Sequence, residues 1–208
     1  MRIWTIQTEE AWRVAKETGR LKATKDHQDT TWPEAYAWMR EQMVTRIGDP
    51  GNDEIAPLWG WTRWGPRKAR PDLRKLRWNW APEGDYVLIE CDLPERSLLR
   101  SDFTTWHHVL NRWYVAVSEA DDNAHAAIAT GLGLKPGPGS LYERSPEDLR
   151  KIVRDSWLRI FDFDSLYPDY WGPISDRSTQ ACFWELRSDQ VMSHKRFRAA
   201  LPQSKAPR

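Results

Sequence analysis

Tyr86-Val87-Leu88-Ile89-Glu90-Cys91 is the stretch on which the fold turns. It is short, continuous and apolar except at Glu90, which predicts a strand buried within a sheet rather than one face of a helix. Reading outward toward the N-terminus, residues 2–7 predict a short strand. A helix follows, with Thr8 as N-cap, Glu9 and Glu10 in the favourable first turn and Gly19 as C-cap. A second helix begins near Thr31 with Pro33 in its first turn. Ala35, Trp38, Met39, Met43 and Ile47 form its apolar stripe, and Gly48 ends it. Asp49-Pro50-Gly51-Asn52-Asp53 reads as a loop, and residues 55–61 as a strand interrupted by Pro57. Residues 62–84 read as irregular and basic.

Beyond Cys91, Ser101 and Asp102 are caps for a helix through Trp106 and Leu110 to about Trp113. Residues 124–130 suggest a short helix, and 131–139, with Pro136 and Pro138, a flexible loop. Ser145-Pro146-Glu147-Asp148 opens a further helix with a near capping box. Its stripe is Leu149, Ile152, Val153, Trp157, Ile160 and Phe161. Residues 162–176 form an aromatic, acidic loop, and 180–186 a last strand. The order β-α-α-β-β-α-α-β, with long loops, argues for an α+β fold rather than a doubly wound parallel sheet. One domain over residues 1–198 and a disordered polar tail over 199–208 are expected.

Composition narrows the class. The 208 residues hold 31 Lys and Arg against 30 Asp and Glu, a net charge of +1, which argues against polyanion binding by the whole surface but leaves local patches open. No run of about 18 uncharged apolar residues is present, so no membrane-spanning segment is expected. The N-terminus runs into Glu9 and Glu10 without the apolar stretch of a signal peptide. Cys91 and Cys182 are too few for a disulfide framework and read as inert strand cysteines. A cytoplasmic, reduced setting is the expectation. His107 and His108 are adjacent on a helix and point apart, and no Cys or His lies at ligand spacing, so no metal site is expected. His107-His108 retains the option of one acid–base or positioning group.

Fourteen tryptophans are the strongest departure from ordinary usage. Trp4, Trp12, Trp32, Trp38, Trp106, Trp113, Trp157 and Trp184 each lie in an apolar pattern and read as core. Trp59, Trp61, Trp64, Trp78 and Trp80 instead crowd one segment with Arg63, Arg67, Lys68, Arg70, Arg74, Lys75 and Arg77. Guanidinium groups bind phosphate bidentately and stack on aromatic rings, which suits a nucleotide or nucleic-acid phosphate. A solvated loop with basic stems lying over exposed indoles explains the same residues. In the closing strand, Glu185 is an acid among apolar and aromatic residues, a position that is paired, solvent-facing or functional. Strict alternation puts Ala181, Phe183 and Glu185 on one face and Gln180, Cys182 and Trp184 on the other.

Two resemblances rest on these stretches. Trp4-Thr5-Ile6-Gln7-Thr8-Glu9-Glu10-Ala11-Trp12, the segment from Leu99 to Asn111 with Ser101-Asp102-Phe103 and Trp106-His107, and Gln180-Ala181 with Phe183-Trp184-Glu185-Leu186 resemble a Trp-rich bacterial family described only as a domain of unknown function. The order of elements also resembles the DNA-targeting ADP-ribosyltransferase toxins of toxin–antitoxin modules. That resemblance implies an ADP-ribosyltransferase-like fold of small mixed or antiparallel sheets with flanking helices, and NAD as substrate. It implies nicotinamide or ribose contacts from Trp4, Thr5, Gln7 and Thr8, an aromatic contact from Trp59 or Trp61, and Arg63 on the pyrophosphate. The closing Gln-Ala-Glu strand of those toxins carries the catalytic glutamate, but here Cys182 follows Gln180-Ala181. Glu185 is the one acid in the strand available as a replacement. A nucleic acid, protein or small molecule would accept the ADP-ribose. The alternative is a non-catalytic nucleic-acid or protein binding module that uses residues 59–80.

Overall fold

The computed structural model describes residues 1–28, 30–65, 70–73, 83–134 and 141–199. Its strands are β1 (Arg2–Thr8), β2 (Arg20–Leu21), β3 (Ala23–Thr24), β4 (Ile55–Ala56), β5 (Leu58–Arg63) and β6 (Gly84–Asp92). They continue with β7 (Leu99–Asp102), β8 (Thr179–Phe183), β9 (Leu186–Arg187) and β10 (Val191–Ala199). The α-helices described are α1 (Glu9–Thr18), α2 (Pro33–Ile47), α3 (Phe103–Leu110), α4 (Glu119–Gly131), α5 (Leu141–Arg144), α6 (Glu147–Ser156) and α7 (Pro168–Trp171). Six strands form one sheet in the order β10-β6-β1-β5-β8-β7, and every pairing in it is antiparallel. The architecture is therefore α+β, and the sheet is wholly antiparallel rather than mixed.

Side-chain alternation divides the interior. On one face of the sheet, Ile3, Leu58, Val87, Ile89, Ala181 and Phe183 pack with Trp12 and Ala15 of α1. The intervening residues Trp59, Leu99 and Cys182 face the other way. There they meet Ala35, Met39 and Met43 of α2, Trp106 and Val109 of α3, and Trp157 and Ile160. All five residues of β8 are buried, so both faces of that strand are core.

Local signals explain the best-read elements. Thr8 accepts a hydrogen bond from the Ala11 amide at 3.1 Å, satisfying an orphan donor of α1, and Gly19 closes that helix at φ 74°. Asp102 caps α3 by accepting from Thr105 N at 2.9 Å. Pro57, which lacks an N–H, separates β4 from β5, and the two halves join different sheets.

Several expectations are corrected. The tail expected after Arg198 is preceded by β10, a nine-residue edge strand paired along β6 from Val191 to Ala199. Residues 200–208 lie outside the described residues. The closing strand stops at Phe183, and Leu186 pairs with Leu21 in a separate two-stranded ladder, so Glu185 is not a strand residue of the main sheet. The short helix at 124–130 is the C-terminal half of α4, which begins five residues earlier at Glu119 and is capped by Ser118. The near capping box at 145–148 does not form: α6 has Pro146 as N-cap, and Ser145 Oγ donates to the Leu141 carbonyl instead. The loop over 162–176 contains α7 and a 3-10 turn. Most of 131–139 and of the irregular basic segment lies outside the described residues. Among the tryptophans assigned to the core, Trp4, Trp12, Trp106 and Trp157 are buried, Trp32, Trp38 and Trp184 are half-buried, and Trp113 is 55% exposed. Trp113 follows α3 on the surface, where it meets His108 edge to face.

Gly60 is the tightest point of the sheet. A Cβ there would lie 3.1 Å from Ile3 Cδ1 and 3.3 Å from both Phe183 Cε1 and the Trp4 carbonyl oxygen. Gly60→Ala should therefore destabilise the chain by about 1–3 kcal/mol through overpacking, read from the midpoint of urea unfolding. An unchanged midpoint would contradict this packing.

Candidate aromatic cleft

Trp59 and Trp61 project from the same side of β5, toward α3 and the start of α2. Together with Gln180 from β8 they form the floor of a cleft of about 440 Å³. Phe103, Trp106, His107 and Asn111 supply one wall, and Trp32 and Tyr36 the other. That volume lies within the range of small-molecule sites, roughly 300–1,000 Å³. The rings hold one another in place: Trp59 lies 5.0 Å from Trp106, Tyr36 meets each of them edge to face at 5.9 Å, and Trp61 lies 4.7 Å from Phe103. Such edge-to-face and tilted contacts are the favoured geometries for aromatic quadrupoles. The rings form one aromatic cluster, with Trp61 and Trp106 buried and Trp59, Tyr36 and Phe103 half-buried at its edge.

The residues expected to hold a nucleotide do not all converge here. Thr5 is buried, and its hydroxyl donates to the Trp59 carbonyl at 2.7 Å and accepts from Gln7 Nε2 at 2.7 Å. These two side chains brace the strand that carries Trp59. Thr8 is committed to the α1 cap. Trp4 stands opposite Trp61 in the ladder but lines a separate cavity of about 300 Å³ with Arg70, Leu88, Glu90, Ser193 and Lys195. Arg63 is the last residue of β5, opposite Thr179, and its Nη1 donates to the Ser175 carbonyl at 2.6 Å. Lys68, Arg67, Arg74, Lys75, Arg77, Trp78 and Trp80 lie outside the described residues.

Glu185 is far from Arg63. β8 runs antiparallel to β5, with Thr179 opposite Arg63 and Phe183 opposite Leu58. Phe183, the last residue of β8, is four residues beyond Thr179, roughly 13 Å along the sheet, and Glu185 follows after the chain has left it. Its carboxylate instead lies 3.4 Å from Arg20 and 3.3 Å from Lys22 and is 31% exposed. It borders another cavity of about 440 Å³ with Lys22, Trp184 and Arg187. The structure thus brings Trp59 and Trp61 together with Gln180, and does not bring Arg63 and Glu185 together. Cys182 shares the cleft's side of the sheet with Gln180 but is fully buried, and desolvation raises its thiol pKa well above the ordinary value. Burial, with the charges of Asp92 and Glu90, pushes Cys91 up to about 12.

The sequence did not separate Trp32, Tyr36, Phe103, Trp106 and Asn111 from core or loop residues. A ring on an apolar helix stripe looks the same whether it fills a core or walls a cleft. The cap at Asp102, which fixes where α3 starts and so where Phe103 and His107 point, was the available signal. Among the described residues, no group of His, Cys, Asp and Glu is arranged to hold a metal ion, and no helix is long and apolar enough to cross a membrane.

Two outcomes follow from this placement. Glu185→Gln should change unfolding free energy by less than about 1 kcal/mol, because its ion pairs are partly exposed. A larger change would contradict the exposure of those ion pairs. Both thiols should stay unreactive toward a disulfide reagent at pH 8 in the folded chain and react fully in denaturant. Rapid labelling of the folded chain would contradict their burial.

Comparison with known proteins adds a family and no activity. A search of curated proteins and a search of solved structures each return no match. Residues 2–192 match the family model described as Domain of unknown function (DUF3841), and the chain belongs to that family.

Proposed function

We propose that this chain binds NAD or a related nucleotide, holding a flat ring of the ligand in the cleft between β5 and α3. The observation that carries the reading is the aromatic box itself: Trp59, Trp106 and Tyr36 in mutual contact, with Trp61 and Phe103 beside them. Stacking a base on such rings is worth about 1–3 kcal/mol per base and tolerates any planar heteroaromatic. Gln180 adds a directional amide at the floor. Arg63 leaves β5 beyond Trp61, at the end from which a pyrophosphate would be reached.

Transfer of ADP-ribose to a nucleic acid, protein or small molecule is the enzymatic form of this reading, and the order of motifs supports it. Cleaving the bond between ribose and nicotinamide passes through an oxocarbenium-like state, which a nearby carboxylate stabilises. Glu185 is on the wrong side of the sheet's length for that role, and Cys182 is a buried neutral thiol. Nucleotide binding is therefore the part of the reading that the cleft supports directly.

Titration with NAD, followed by calorimetry, tests it. Binding should be measurable, and Trp59→Ala should weaken it about tenfold or more while the fold, checked by circular dichroism, is retained. Absence of binding by the unmodified chain, or affinity unaffected by Trp59→Ala, would overturn the reading.

A further inference from the structure

The cavity of about 440 Å³ beside Glu185 plays no part in the nucleotide reading, and it shares no lining residue with the aromatic cleft. It lies where α2, β6 and β8 end, and its lining is of two kinds. Ile47, Ile55, Phe183 and Trp184 supply an apolar surface, with Trp184 fixed because its Nε1 donates to the Gly48 carbonyl at 2.8 Å. Lys22, Arg96 and Arg187 supply charge, three cations against Glu185 as the one acid among the described lining residues. Arg20 beside Glu185 and Asp189 beside Arg187 stand outside the lining and leave the same excess of two positive charges.

The ion pairing around Glu185 is loose. Its carboxylate lies 3.3 Å from Lys22 Nζ and 3.4 Å from Arg20 Nη1, longer than the ~2.7–2.9 Å of a close charge-assisted bond. Arg96 has no acidic partner among the described residues. Lysine and arginine carry donors and no acceptor, so none of these cations meets an anion with a lone pair. Their charges act across the cavity without any one atom being aimed, since screening at physiological salt extends over about 8 Å. A concave site with an excess of one sign concentrates ions of the other.

From the apolar surface and the unbalanced positive charge together, we propose that this cavity binds a small organic anion. The apolar body of the ligand lies against Trp184 and its neighbours, and its carboxylate or phosphate group sits beside Lys22 and Arg96. Glu185 is then an internal competitor, which holds Lys22 in the free protein and repels the incoming anion. The proposal stands apart from nucleotide binding at the aromatic cleft.

Calorimetric titration at pH 7 with 1-naphthyl phosphate, 1-naphthoate, neutral 1-naphthol and inorganic phosphate tests it. At least one naphthyl anion should bind about tenfold more tightly than both 1-naphthol and inorganic phosphate, and the tighter of the two anions identifies the charged group. Lys22→Ala combined with Arg96→Ala, both at exposed positions, should retain the melting temperature and abolish the preference for the anion. Glu185→Gln should tighten anion binding about twofold or more, the opposite sign to the loss expected of a ligand-binding carboxylate. Trp59→Ala should leave it unchanged. Equal affinity for 1-naphthol and the anions, a preference that survives the double substitution, unchanged or weaker binding in Glu185→Gln, or loss of binding in Trp59→Ala would overturn the proposal. Each of these results leaves the test of NAD at the aromatic cleft untouched.

Discussion

The antiparallel ladder that places β1 between β6 and β5 is the constraint on which the other features rest. β1 pairs with β6 over its whole length, from Arg2 opposite Asp92 to Thr8 opposite Tyr86, and meets β5 at Trp4 opposite Trp61. Because side chains alternate, this register sends Ile3 toward α1 and turns the Trp59 and Trp61 side toward α3. A slip of one residue would exchange the two faces and put the indoles into the α1 core. Gly60 permits the register, since Ile3, Phe183 and the Trp4 carbonyl close on the space a Cβ would need. The cleft is thus a consequence of strand pairing rather than of a loop conformation.

The abundance of tryptophan has a structural explanation beyond apolar volume. Several indoles use their N–H to tie irregular segments to the helical layer. Trp157 Nε1 donates to the Trp113 carbonyl at 3.0 Å, Trp171 to Ala116 at 2.7 Å and Trp184 to Gly48 at 2.8 Å. Each bond satisfies a carbonyl that no sheet or helix uses, while the ring covers apolar surface beside it. Arg159 does similar work near α4, bridging the Tyr114 hydroxyl, the Val115 carbonyl and Asp121. Long connections are held by side-chain donors where strands are short.

Elements with strong local chemistry were legible in the sequence. Thr8 and Gly19 bracket α1, Pro33 and Gly48 bracket α2, and the run from Tyr86 to Cys91 lies inside β6, because caps and continuous apolar runs act over a few residues. β10 was not legible. As an edge strand it pairs with β6 on one side only, and it carries Lys195, Arg196 and Arg198 where an interior strand would be apolar. β7 has four residues and hides in the cap of α3. Of the candidate site, Trp59 and Trp61 were legible as non-periodic aromatics. The other walls come from α2 and α3, more than 40 residues of sequence away from Trp61 for Phe103 and Trp106, and no local pattern reports that closure. Glu185 misled because strand alternation was extended two residues past Phe183, where the chain in fact leaves the sheet.

The central claim, that the box between β5 and α3 receives the ligand ring, is tested most directly by the indole N–H signals of a ¹⁵N–¹H spectrum. NAD should be titrated into the labelled chain and the indoles assigned by single substitutions. The account predicts that Trp59, Trp61, Trp106 and Trp32 shift together with one binding curve, while Trp12, Trp113 and Trp157 stay in place. Shifts confined to Trp113 or Trp184, or saturation without movement of Trp59 and Trp106, would contradict it.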